Sequence, residues 1–179
     1  MDPFFYKLPN RLLDDATENL IVEKAMENPD EFFAYKGQLT GKEDGNYIFV
    51  RGFLRELAGV QRLMRACTVE CYPLVMRHFP NTPVPIHIDN PNGRNCVIIS
   101  PLIPKVNYVP TYFWESLDST VPVATADFSD RMPVLVNTQR LHSLTNNENL
   151  RMNFQLCFTD RFSVIQDLLI EGRLFKELF

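Results

Sequence analysis

The chain is expected to be mainly β with flanking helices, a double-sheet jelly roll, and three observations lead there. Between Pro83 and Phe158 the sequence breaks into short apolar runs separated by Pro, Gly, Asn and Asp, as strands separated by turns do. Segments of helical spacing lie before and after that stretch rather than inside it. The chain has 179 residues, 45% hydrophobic and 22% charged with fourteen Phe, enough for one core and too few for two ordinary domains.

Taken in order, Ala16, Leu20, Ile21, Ala25 and the stem of Lys24 recur at helical spacing between Asp14 and Glu27, before Asn28 and Pro29 stop the run. Three glycines between Lys36 and Asn46 predict a turn region, followed by a short strand at Tyr47 to Val50. A second helix is expected from about Phe53 to Ala66, with Leu54, Leu57, Ala58, Gln61 and Met64 marking its faces. Seven candidate strands follow: Val84 to Ile88, Asn95 to Leu102, Tyr108 to Trp114, Val121 to Ala126, Pro133 to Asn137, His142 to Leu144, and Arg151 to Phe158. Short strands at this spacing suit a cupin-like jelly roll. From Val164 to Phe179 Ile165, Leu168, Leu169, Leu174 and Leu178 return to helical spacing, with Gly172 as an interruption. The expected organisation is a single domain, 1–179, with a helical part at about 1–80, a β core at about 83–158 and a C-terminal helix at about 162–179.

A net charge of -4 supplies no broad cationic field, so nucleic-acid binding is not indicated. The four cysteines show no CxxC pairing, the first residues lack the apolar core of a signal peptide, and no apolar run is long enough to cross a membrane. The expectation is a cytoplasmic protein with free thiols. Cys67 and Cys71 are expected to pack on one helical face, and His78, without partner spacing, to be structural.

His87, Asp89 and His142 can supply the two imidazoles and one carboxylate that hold non-haem Fe(II) on one face. Alternate residues on a strand point the same way, so His87 and Asp89 would project together while Ile86 and Ile88 pack behind them. The turn-like Thr145 to Glu148, read as a hairpin loop, pairs Leu144 with Asn149 and sets His142 opposite Arg151, bringing a guanidinium to the metal. Arg140 competes with Arg151 as an anion anchor. Arg151 is preferred because it begins an alternating run with Asn153 and Gln155 on its face, whereas Asn137 to Arg140 is polar enough to turn. Asn153 and Gln155 line the interior or face solvent. Tyr108, Tyr112 and Trp114 line a pocket or pack the core, and Asn95 and Ser100 are further pocket candidates.

In His87-Ile-Asp89, the run Cys96 to Ile103, and Val134 to His142 followed by Arg151, the chain resembles the Fe(II)- and 2-oxoglutarate-dependent dioxygenase superfamily, in particular small single-domain members of prokaryotic or phage type. The resemblance covers about residues 83 to 158. It implies a double-stranded β-helix, Fe(II) on His87, Asp89 and His142, and 2-oxoglutarate as cosubstrate with its distal carboxylate on Arg151. It further implies dioxygen and an organic substrate, which the sequence does not identify beyond favouring a small molecule or a peptide or protein side chain over a base in duplex nucleic acid. Two rivals remain at this level, a cupin-like metal or small-molecule binder without turnover and an interaction module with a vestigial pocket. Oligomeric state is not readable.

Overall fold

A computed structural model describes residues 3–27, 33–34, 47–50, 52–81, 83–89, 93–145 and 148–176, with 33–34 and 47–50 described by their backbone. The elements in chain order are β1 (Phe5–Lys7), α1 (Asp15–Glu27), β2 (Phe33–Ala34), β3 (Tyr47–Val50), a 3-10 turn (Phe53–Glu56), α2 (Ala58–Ala66), β4 (Cys71–His78), β5 (Val84–His87), β6 (Cys96–Ile103), β7 (Thr111–Phe113), β8 (Ala124–Ala126), β9 (Val134–Asn137), β10 (His142–Leu144), β11 (Arg151–Phe158) and α3 (Phe162–Ile170). Seven strands form a large sheet in the order β1-β9-β6-β11-β4-β3-β2, and four form a small one in the order β5-β10-β7-β8. All pairings are antiparallel. No described helix is long and apolar enough to cross a membrane.

β11 shows how the sequence divides the molecule into layers. All eight of its residues are buried, since it sits mid-sheet between β4 and β6. Met152, Phe154, Leu156 and Phe158 join a cluster with Ile21, Leu54, Val60, Leu63 and Ile165, the layer under the helices. The alternate residues Arg151, Asn153, Gln155 and Cys157 face the other way, where Leu74, Met76, Val97, Ile99, Phe113 and Val136 form a second cluster between the sheets. Each large side chain fully buried here contributes about 1.5–3 kcal/mol. A polar stripe in so apolar an interior requires partners or a ligand.

The helices begin and end where local chemistry dictates. Asp14 Oδ1 accepts the Thr17 N–H at 2.7 Å, satisfying an orphan donor of α1. Its buried stripe is Thr17, Glu18, Ile21 and Ala25, while Leu20 is exposed. The expected stripe is thus rotated, because buried Glu18 is neutralised by Arg11 at 2.5 Å and Arg131 at 2.8 Å. The expected second helix is broken at Leu57, whose extended backbone (ψ 120°) separates the 3-10 turn from α2. α3 stops at Ile170. Gly172 (φ 66°) turns the chain left-handed, and the N–H groups of Gly172 and Arg173 cap Leu169 O and Leu168 O at 3.1 and 2.8 Å. Leu174 therefore lies beyond the helix, in a tail whose Phe175 bridges to Cys67.

Other expectations are corrected as well. The segment before residue 80 supplies four strands of the large sheet besides its helices. Cys67 follows α2 and Cys71 opens β4, so the two do not share a helical face. Ile88 is 46% exposed rather than packed behind the histidines. The four cysteines are free, as expected.

Candidate active site

β5 and β10 pair so that His142 stands directly opposite His87, with ring centroids 4.3 Å apart. The Nδ1 atom of each ring donates to a carbonyl two residues upstream, His87 to Pro85 O at 2.8 Å and His142 to Arg140 O at 2.9 Å. A carbonyl only accepts, so each Nδ1 carries the proton and each Nε2 keeps its lone pair, the tautomer a metal requires. The strand pairing does not continue as a regular ladder beyond β5, but the Asp89 N–H donates to Thr138 O at 2.9 Å and fixes the carboxylate beside the rings. Asp89 Oδ1 lies 3.4 Å from His87 Nε2. One ligand atom from each of His87, Asp89 and His142 falls within 4.8 Å of the others. Two neutral imidazoles and a carboxylate converging this closely fit a divalent non-haem iron.

The electrostatics keep these groups in their ligating forms. Burial raises the pKa of Asp89, but the positive charge of Arg94 outweighs it and holds the carboxyl at about 2. Burial, with His87 alongside, lowers His142 to about 4. Arg94 itself is held above its ordinary value because the attraction of Asp89 exceeds the cost of burial.

Arg151 is 2% exposed, and its Nε and Nη1 are buried with no hydrogen-bond partner. Its guanidinium lies 4.5 Å from the centre of the Tyr108 ring. Asn153 Nδ2 donates to Tyr108 Oη at 2.9 Å, and Gln155 Nε2 donates to Asn153 Oδ1 at 2.8 Å. Opposite Arg151 on β4 stands His78, whose pKa burial and then the two arginines push well below its usual range. An unsatisfied buried guanidinium is costly, and a carboxylate is the group its planar fork matches.

The remaining candidates are distributed as follows. Arg140 is exposed and gives its carbonyl to His142. Asn95 donates to Thr159 O at 2.5 Å. Ser100 pairs with Phe154, which packs under the helices, so Ser100 shares that face. Tyr112 pairs with Ser143, and Trp114 Nε1 donates to Ser143 Oγ at 2.8 Å. Ser143 alternates with His142, which puts both aromatics on the outer face of the small sheet. The hairpin register is overturned: β10 belongs to the small sheet and β11 to the large one, Leu144 pairs with Val84 and Thr111, and Arg151 faces His78. Arg151 reaches the interior across the sandwich, not along a hairpin. Arg94 escaped the sequence reading, because a single Arg after Gly93 in a polar turn has no periodicity; its place two residues before the apolar run at Cys96 is the only signal.

No protein-family model matches the chain, and no curated protein matches its sequence. Solved structures do match in fold. A prolyl hydroxylase from Trichoplax adhaerens, in complex with a peptide fragment of the hypoxia inducible factor oxygen degradation domain, superposes with a TM-score of 0.61 at 15% identity, over 87% of this chain and 83% of that one. A Pseudomonas putida prolyl-4-hydroxylase gives 0.57 at 10%, over 86% and 91%. HygX from Streptomyces hygroscopicus, with nickel and 2-oxoglutarate bound, gives 0.53 at 8%, over 86% and 82%. The fold is the double-stranded β-helix that these Fe(II)/2-oxoglutarate oxygenase structures share.

Proposed function

We propose that the protein is an Fe(II)- and 2-oxoglutarate-dependent oxygenase, a hydroxylase of a small molecule or of a peptide or protein side chain. The observation that carries this reading is Arg151, buried with two unpartnered nitrogens in the sandwich that also holds His87, Asp89 and His142. A metal binder without oxidation needs the three ligands and has no use for an unsatisfied interior cation. When bound, Fe(II) supplies the activation of dioxygen at the expense of oxidative decarboxylation of 2-oxoglutarate to succinate and CO2.

The chain's own part is binding, orientation and exclusion of water. His87 Nε2, His142 Nε2 and Asp89 Oδ1 would hold the metal. Arg151 would hold the distal carboxylate of 2-oxoglutarate, and its guanidinium stays charged when buried. Tyr108 would add a further donor: its oxygen accepts from Asn153 Nδ2 at 2.9 Å, and its proton meets Met152 O at 3.5 Å, beyond good O–H···O range. Phe113, Val97 and Val136 wall the interior with apolar surface. The prolyl hydroxylases among the structural neighbours, one of them holding a peptide, support a peptide or protein side chain as substrate.

The test needs no knowledge of the substrate. Protein loaded anaerobically with Fe(II) and 2-oxoglutarate and then exposed to air should form succinate above a protein-free control. Binding of both, with no succinate formed alone or with a broad pool of peptides and metabolites, would support the non-catalytic cupin-like reading instead.

A further inference from the structure

Arg94 lies in the turn between β5 and β6, and its backbone is pinned before its side chain acts. Its carbonyl accepts from Thr138 Oγ1 at 3.0 Å and from Gln139 Nε2 at 3.1 Å. The guanidinium then spans two groups. Nε and Nη2 reach Asp89 Oδ2 at 2.7 and 2.6 Å, and Nη1 donates to Gln155 Oε1 at 2.8 Å. A guanidinium has donors only, so Gln155 must turn its oxygen to Arg94 and its amide nitrogen away. That nitrogen donates to Asn153 Oδ1, which leaves the Asn153 nitrogen to face Tyr108. Side-chain amides ordinarily have two orientations of similar merit. Here one cation at the end of the row selects the orientation of both.

The direction of this row matters at its far end. With its oxygen accepting from Asn153, the Tyr108 hydroxyl keeps its proton to donate, and that proton meets Met152 O at 3.5 Å, beyond good O–H···O range, on a ring whose centre lies 4.5 Å from the Arg151 guanidinium. We propose that Arg94 is a positioning residue with two effects: it clamps Asp89 Oδ2, leaving Oδ1 for the metal, and through Gln155 and Asn153 it keeps Tyr108 a hydrogen-bond donor toward an anion seated on Arg151. Without Arg94 the two amides are free to reverse. Asn153 Oδ1 then accepts the Tyr108 proton, and the anion loses a donor several side chains away from the substitution.

This inference rests on the oxygenase reading in taking 2-oxoglutarate as the anion. Two dissociation constants test it, both measured without oxygen: Mn(II) by electron paramagnetic resonance and 2-oxoglutarate by calorimetry at saturating Mn(II). In Arg94→Lys a single ammonium cannot serve Asp89 and Gln155 together, and Mn(II) affinity should fall roughly 10- to 100-fold. Gln155→Met keeps the volume and breaks the row, so it should weaken 2-oxoglutarate by the same factor as Tyr108→Phe, roughly tenfold or more. The double variant should bind no more weakly than Tyr108→Phe alone, a non-additivity that a purely structural role for Gln155 would not produce. Unchanged Mn(II) affinity in a folded Arg94→Lys overturns the clamp, and additive losses in the double variant overturn the row. Should Arg94→Lys not fold, the Gln155 and Tyr108 series decides by itself. Failure of the oxygenase reading shows in the wild type, which would then bind no 2-oxoglutarate and take the Tyr108 role down with it; failure of the inference shows only in the variants.

Discussion

Arg140 and Arg151 are chemically identical and structurally opposite, one in solvent and the other 2% exposed with two idle nitrogens. With Mn(II) present, 2-oxoglutarate at a hundred times its dissociation constant should stabilise the native state by about 2.7 kcal/mol. Arg151→Ala should remove most of that gain and Arg140→Ala should leave it, as read by thermal denaturation. The reverse result would assign the anchor to the exposed residue. Acid provides a second test. His142 is held at about 4 by burial, against about 6.5 in the unfolded chain, so its contribution is complete above 6.5 and lost as the pH falls through 4. That depression corresponds to about 3 kcal/mol. His78, also depressed, acts in the same direction, whereas Asp89, at about 2, loses its contribution only below the ordinary carboxylate range. Urea denaturation of metal-free protein should show stability declining between pH 6.5 and 4, with His142→Gln flattening the decline. A flat wild-type profile would contradict a neutral, buried His142.

The close approach of α1 and α2 is set by a residue with no side chain. A Cβ at Gly59 would collide with Thr17 Oγ1, Cγ2 and Cβ. Gly59→Ala should therefore destabilise the fold by roughly 1–3 kcal/mol although alanine is the better helix former, and a raised thermal midpoint would refute this packing. Such contacts between elements are what the sequence conceals. β5, β6, β9 and β11 were legible because each keeps an apolar run between turn residues, and the candidate metal-binding group was legible from the spacing of His87 and Asp89, although Asp89 lies beyond β5 and is placed by its N–H to Thr138 O. β4 was not, since Pro73 speaks against a central strand. The structure tolerates it because β3 covers only Val75 to His78, leaving Pro73 paired on one side with Leu156. The link from β10 to β11 looks locally like a hairpin and in fact passes from one sheet to the other, a choice made by the partners on both sheets and not by Thr145 to Glu148. Arg94 was illegible for the same reason: its meaning lies in Gln155, on a strand 61 residues away.

The molecule as a whole is closed at the end of its chain by short segments. Beyond α3 the tail returns to the link between α2 and β4: Thr68 N–H donates to Leu174 O at 2.9 Å and Lys176 N–H to Ala66 O at 2.8 Å. Leu174 and Phe175 are buried there, at 1% and 8% exposure. Truncation after Glu171 should cost about 3–6 kcal/mol for these two side chains, measurable by chemical denaturation, and an unchanged midpoint would show the tail to be dispensable. β1 does comparable work on the large sheet, with Phe5, Tyr6 and Lys7 paired to Val136, Leu135 and Val134 of β9. Its partner is an apolar strand that would otherwise form the sheet's edge, its backbone donors and acceptors open on one side. Whether this protein stays monodisperse in the test tube therefore depends on three residues near the start of the chain. A preparation clipped beyond Lys7 leaves β9 as a template for other chains, and it should pass from a single scattering species to growing aggregates while His87, Asp89 and His142 remain in place.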